Sequence, residues 1–236
     1  MTTSGTTGFN LNLNELVEEA FERAGAELRS GYDLRTARRS LNLLTIEWSN
    51  RGYNLWTLAE GAIPLVQGQA TYDLPLDTVD LVDHVIRNFN GQNQSDLNIT
   101  RISLDTYSTI PNKNSQGRPI QVWIDRRTGA EYPVEGVRPP QITVWPVPDQ
   151  PNYYTFVYWR LRRMQDAAGG AGTMDVPYRF LPAMVAGLAY YLSMKIPEGA
   201  QRTPALKEIY DEQFALAADE DREKATLRIA PRQYFI

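Results

Sequence analysis

Hydrophobic positions recur at helical spacing near both ends of the chain, and in shorter strand-like runs between them. Asn12 followed by Glu15 has the form of a capping box with an Asx cap. Leu16, Val17, Ala20, Phe21, Ala24 and Leu28 then fall on one helical face, and Gly25 is placed to end or loosen that helix. Asp33 is a second candidate N-cap. After it Leu34, Ala37, Leu41, Leu44 and Trp48 recur at steps of three and four, and Gly52 fits the position just past the helix end. Arg35, Arg38 and Arg39 lie on or near the opposite face. Three arginines on one helix read first as a solvated basic face and only second as a phosphate-binding strip.

The middle of the chain reads as β. Residues 63–66 and 71–74 flank Gln67, Gly68 and Gln69, the pattern of a short hairpin around a glycine turn. Residues 79–86 predict a further strand, and 88–95 a polar loop with turn chemistry at Asn90 and Gly91. Residues 99–110 fit a strand or a short helical turn equally. Residues 120–125 and 141–145 predict strands, the latter ended by Pro146 and Pro148. Residues 153–161, rich in Tyr, Phe, Val and Trp, predict a well-buried strand. About five to seven short strands broken by Pro and Gly suggest a small sandwich or barrel.

The last third returns to helix. Residues 167–173 form a Gly/Ala linker expected to be flexible and mostly solvated. Pro177 is placed just ahead of a helix whose stripe is Leu181, Met184, Val185, Leu188, Leu192 and Ile196. Small residues at Ala183, Ala186, Gly187 and Ala189 permit close packing. Pro204 opens another helix with apolar positions Leu206, Ile209, Tyr210, Phe214 and Ala217. Its later part is acidic, from Asp211 and Glu212 through Asp219, Glu220, Asp221 and Glu223. Residues 225–236 change character: Arg228 and Arg232 with no acid, Ile229, Pro231, and then Tyr234, Phe235 and Ile236. Termini are disordered unless something holds them. An apolar, basic segment here therefore reads either as an arm that docks on a partner or as a tail packed on its own domain.

The economical architecture is α+β. A four-helix bundle is built from residues 12–52 and 174–224, with a small antiparallel β domain inserted at 53–166. The expected bundle core is Leu34, Leu41, Leu44, Trp48, Leu188, Leu192 and Phe214. Residues 1–11 are a flexible N-terminus and 225–236 an extended arm.

Composition narrows the chemistry. The 236 residues include no cysteine, which removes disulfides, thiolate metal sites and a cysteine nucleophile. One histidine, His84, removes multi-histidine metal sites, and its neighbour Asp83 points to the other face of a strand, so the pair makes no dyad. No Gly-x-Ser-x-Gly elbow is present. The run 169–172 lacks the Lys-Ser/Thr of a phosphate loop. Acidic residues between Asp211 and Glu223 read as solvation ahead of a cation site or a glycosidase pair, since nothing apolar raises a pKa there. Trp123, Trp145, Tyr153, Tyr154, Tyr158 and Trp159 read as core or protein interface ahead of a sugar platform. Neither a metal nor a cofactor is expected, and no enzyme signature remains. A formal net charge of −4 makes the whole chain a poor general nucleic-acid binder. The start of the chain lacks the features of a secretory signal, and the longest apolar stretch, between Arg179 and Lys195, is shorter than the ~20 residues of a membrane span. A soluble protein made in a reducing compartment is expected.

Several segments together resemble a known family. Residues 16–25 and 37–52, with Glu47, Trp48, Arg51 and Gly52, are similar to the two N-terminal helices of podovirus head-to-tail adaptors, the group called tail tubular protein A, head-completion or packaged-DNA-stabilisation proteins. Residues 68–75 and 145–149 are similar to segments of the β insertion in many such adaptors. Residues 181–195 are similar to their third helix, and 228–234 to their C-terminal arm. The resemblance implies a structural virion protein of a bacteriophage, with no catalytic activity, assembled in the host cytoplasm and located at the head–tail junction. It implies a dodecameric ring under the portal, monomeric before assembly. Such a ring retains packaged DNA, lets it pass without specific binding during genome ejection, and offers a platform to the tail nozzle or another tail protein. It further implies that the arm, with Arg228, Ile229, Pro231, Arg232, Tyr234, Phe235 and Ile236, docks on the portal. In such an assembly Arg35, Arg38 and Arg39 are expected on helix flanks that meet acidic residues of the next subunit. The rival readings are a tail-associated glycan-active enzyme and a sugar-binding module.

Overall fold

A computed structural model describes residues 5–52, 55–90, 93–126, 139–167 and 172–222. The chain is mixed α and β and divides into two compact units, one of residues 1–55 with 165–236, the other of residues 56–164.

In the first unit, local chemistry sets the helix ends. Helix α1 (Leu13–Ala24) opens with the expected capping box: Asn12 Oδ1 accepts from Glu15 N, and Glu15 Oε2 accepts from Asn12 N, both at 2.9 Å. Gly25 closes it at φ 87°, a left-handed conformation that favours glycine. Helix α2 (Gly31–Arg51) begins earlier than expected. Its cap is Ser30, and Asp33 is the reciprocal member at the third position, accepting from Ser30 N at 3.1 Å. A Ser-x-x-Asp spacing supplies both halves of a capping box, whereas Asp33 alone supplies one.

Helix α4 (Leu181–Ser193) is buried almost all round and packs against α1, α2 and α5 (Thr203–Glu220). A helix apolar on every side belongs at the centre of its unit. Gly187 lets it sit there: a Cβ at this position would come within 2.9 Å of both Leu44 and the Tyr210 ring. Leu41, Leu44, Trp48, Leu188, Leu192 and Phe214 are buried, while Leu34 is only half-buried. Ile209, expected to face inward, is 43% exposed, because α5 turns Leu206, Tyr210, Phe214 and Ala217 toward the core and leaves Ile209 a quarter-turn away. The segment expected to be a solvated linker is held at its described ends. Ala167 is buried, its N–H donating to Asn42 Oδ1 and its carbonyl accepting from Arg38, and Thr173 bridges Asn12.

The second unit carries two four-stranded sheets. One has the order β1 (Leu58–Pro64), β8 (Tyr154–Arg162), β3 (Thr78–Asn90), β4 (Asn93–Asn98). The other has the order β2 (Thr71–Asp73), β7 (Gln141–Trp145), β6 (Gln121–Asp125), β5 (Thr100–Ile102). Inward-facing residues of both sheets, including Leu81, Ile86, Val122, Ile142, Val144 and Phe156, join in one hydrophobic core.

Three sequence expectations are corrected here. The 63–74 hairpin does not form: β1 pairs with β8 and β2 with β7, so the glycine turn carries the chain from one sheet to the other. Tyr72 fixes that crossing, its hydroxyl accepting from Val66 N at 2.9 Å and facing the carbonyls of Val66 and Gln69. The polar loop 88–95 is mostly strand. β3 and β4 pair through to Asn90 and Asn93, leaving between them residues 91 and 92, which lie outside the described residues. A polar edge strand suits a position that must not recruit another chain. The unit is also not wholly antiparallel, since β5 and β6 run parallel. Residues 99–110 hold both alternatives, β5 and then helix α3 (Leu104–Ser108), and this crossover allows the parallel pairing.

Candidate functional site

His84 lies on β3 with both ring nitrogens buried and no partner at hydrogen-bond geometry. Its ring stacks on Phe156 at 5.7 Å. Burial lowers its pKa, Asp83 and the Ile99 backbone pull weakly the other way, and Arg101 adds to the lowering. A ring packed against an aromatic core residue, with no nucleophile or carboxylate to orient it, is a packing element rather than a base.

The aromatics do not form one platform. Tyr154 and Tyr158 belong to the core, and Tyr158 lies over Gly61 so closely that a Cβ there would collide with its ring. The Tyr154 hydroxyl donates to Asp149 at 3.0 Å, and burial with that carboxylate pushes it up to about 12. Trp123 stacks on Tyr107 of α3 at 5.6 Å, and Trp145 donates to the Asn112 carbonyl at 3.0 Å. Trp159 sits on the strand face opposite Tyr158, half-buried. Among the described residues no group of three acidic or histidine side chains is placed to hold a metal ion. Among those residues no helix is long and apolar enough to cross a membrane.

The acidic run at the end of α5 is not uniform. Asp211, Glu212, Asp219 and Glu220 are exposed, whereas the Asp221 side chain is fully buried and ion-paired with Arg179. Its second oxygen accepts from Leu55 N at 3.3 Å. Asp221 is therefore a clasp rather than solvation. A polar network crosses the first unit nearby. Trp48 Nε1 donates to Tyr210 Oη at 2.9 Å, and Tyr210 and Tyr191 donate to the two oxygens of Glu47 at 3.1 and 2.8 Å. Arg51 pairs with Glu47 and lies 4.4 Å from the Phe214 ring centre. Burial, with the Glu47 carboxylate, pushes Tyr191 up to about 12.

The three arginines separate. Arg35 and Arg39 are exposed on α2 and share its outer face with Tyr32, with Leu43 at 52% exposure and with Ile46 at 49%. Arg38 is half-buried and donates to the Ala167 carbonyl at 3.2 Å. The outer face of α2 thus combines two arginines with three exposed apolar or aromatic side chains.

A second surface escaped the sequence reading. A cleft of about 1100 Å³ runs beside α1, with Leu11, Leu181, Pro182 and Val185 among its lining residues. Phe9 and Tyr178, each 77% exposed, also line it. Its acidic wall is Glu15, Glu18, Glu19 and Glu22 of α1, with Arg23. The glutamate spacing is visible in the sequence as one polar helix face. The apolar floor comes from residues about 170 positions away and is not. The arm residues Arg228, Ile229, Pro231, Arg232, Tyr234, Phe235 and Ile236 lie outside the described residues.

Comparison with curated proteins returns no match. A family model described as SU10 adaptor protein matches residues 11–232, all but the first ten and last four positions, and so spans both units. The chain thus belongs to the SU10 adaptor protein family, a phage head-to-tail adaptor family in agreement with the resemblance carried by its helices, and its role is that of a structural adaptor between phage portal and tail proteins at the head–tail junction.

Proposed function

We propose that the chain assembles as a dodecameric ring beneath the portal, retains packaged DNA and carries the tail. The observation that supports this most is the family match, which runs through both units and into the arm as far as Arg232. In this reading residues 12–52 and 174–224 make a four-helix bundle, the inserted segment is a β-sandwich, and 225–236 is the docking arm. Tyr234, Phe235 and Ile236 enter apolar portal pockets, Arg228 and Arg232 meet acidic rims, and Ile229 and Pro231 shape the segment between. Aromatic and arginine anchors carry most interface energy.

Neighbouring copies meet through the outer face of α2. Arg35 and Arg39 supply charge there, and Tyr32, Leu43 and Ile46 supply apolar area to bury. Arg38 joins that contact only in part, because one guanidinium nitrogen already donates to the Ala167 carbonyl of its own subunit. Asp211, Glu212, Asp219 and Glu220 face the channel, where like charge keeps passing DNA from sticking. The chain stays monomeric until it meets the portal, in the host cytoplasm, and the finished ring serves genome ejection without chemistry of its own.

The arm assignment is tested by a chain ending at Lys224, sedimented with the portal of the same phage. The expected result is a shortened chain that stays folded but no longer co-sediments. Undiminished co-sedimentation would refute the arm's role while leaving the family assignment intact.

A further inference from the structure

The cleft beside α1 has an unpaired charge pattern. Glu15 is engaged by the α1 cap and Glu19 by Arg23 at 2.8 Å, but Glu18 and Glu22 have no ion-pair partner among the described residues. Between these carboxylates and the apolar floor is room for a peptide that is both basic and hydrophobic. The end of the chain is such a segment. Residues 224–236 hold Lys224, Arg228 and Arg232, no acidic side chain, and the apolar Leu227, Tyr234 and Phe235.

That segment also starts in the right place. The clasp between Asp221 and Arg179 fixes the end of α5 against the turn Tyr178–Phe180, and Tyr178 lines the cleft. From Arg222 the 14 residues 223–236 reach roughly 46–50 Å when extended. Helix α1, with 12 residues, is only about 18 Å long. Length is therefore no obstacle, and a short tether gives an effective concentration on the order of millimolar, so even a weak contact is filled within one chain.

We propose that the C-terminal segment 223–236 of the free chain lies in the acidic cleft of its own helical unit, with Arg228 and Arg232 against Glu18 and Glu22 and the terminal aromatics on the floor near Leu181 and Val185. A partner that binds the arm must first take it from this cleft. The proposal goes beyond the adaptor reading, which concerns where the arm ends.

The full-length chain has no cysteine, so a disulfide reports the contact cleanly. Glu18→Cys with Tyr234→Cys is oxidised at low protein concentration, beside a control pair of Glu212→Cys with Tyr234→Cys, which places the first thiol on exposed α5 outside the cleft. The expected result is an intramolecular bond forming on the order of tenfold faster in the cleft pair than in the control, independent of dilution. It slows toward the control rate in high salt and when Glu22→Lys is added. Equal rates for the two pairs overturn the proposal. Cross-linked dimers that grow with concentration also overturn it, assigning the cleft to the tail of a second copy. Melting curves of each variant confirm that unfolding does not produce the signal. No portal is present, so failure here leaves the adaptor reading untouched.

Discussion

His84 and Asp221 are ionisable groups held away from water, and each ties stability to a different condition. His84 has a lowered pKa because burial penalises its charged form. A base with a depressed folded pKa leaves stability intact above its unfolded value near 6.5 and loses it as pH falls through the folded value. The β unit should therefore weaken as pH drops below about 6.5. His84→Phe, which keeps the stack on Phe156 and removes two orphaned nitrogens, should flatten that part of the profile. Denaturant midpoints between pH 7.5 and 5 check this, and an unchanged slope in the variant assigns the loss to other groups. Asp221 depends on its partner instead. Asp221→Ala strands Arg179 and the Leu55 N–H, at a cost of about 2–3 kcal/mol. The low end of the buried-pair range is appropriate because Arg179 keeps about a third of its exposure. A thermal midpoint within error of the parent would show that the clasp contributes nothing.

At the scale of elements, α4 is the piece on which the helical unit is built, and Gly187 is where it is least tolerant. Gly187→Val forces groups into the Leu44 and Tyr210 side chains and should destabilise by about 2 kcal/mol. A similar substitution at exposed Ala215, outside that contact, should stay within about 0.5 kcal/mol. Equal midpoints for the two variants would contradict the close approach of α2 and α5 at α4. Much of this layer is legible in the sequence, because caps and helical stripes are local. The Asn12–Glu15 box and the glycines at 25 and 52 carry their meaning within a turn of chain. Strand partners are not local. Residues 63–74 have every mark of a hairpin, yet β1 and β2 find better-buried partners in β8 and β7, roughly 70 to 100 positions away. The parallel β5–β6 pair likewise depends on a helical crossover that residues 99–110 only hint at. The cleft was hidden for the same reason: its acidic wall is one helix face, but its floor is assembled by packing.

For the whole molecule, the outward faces matter more than the cores. α2 turns Arg35, Arg39, Leu43 and Ile46 away from its own unit, and α1 turns a row of glutamates the same way. The apolar part of the α2 face is the part that gains most from being covered by another chain. Each subunit in the proposed ring covers its α2 face with the next, and the arm leaves one surface for another. The central claim is that the chain is a ring-forming link between portal and tail, and its most direct test is sedimentation of the purified full-length chain with and without the portal of the same phage, followed by imaging of the complex. The account predicts a monomer alone and, with portal present, a twelvefold ring stacked on one end of the portal. A chain that remains monomeric and unbound beside an intact portal would contradict it.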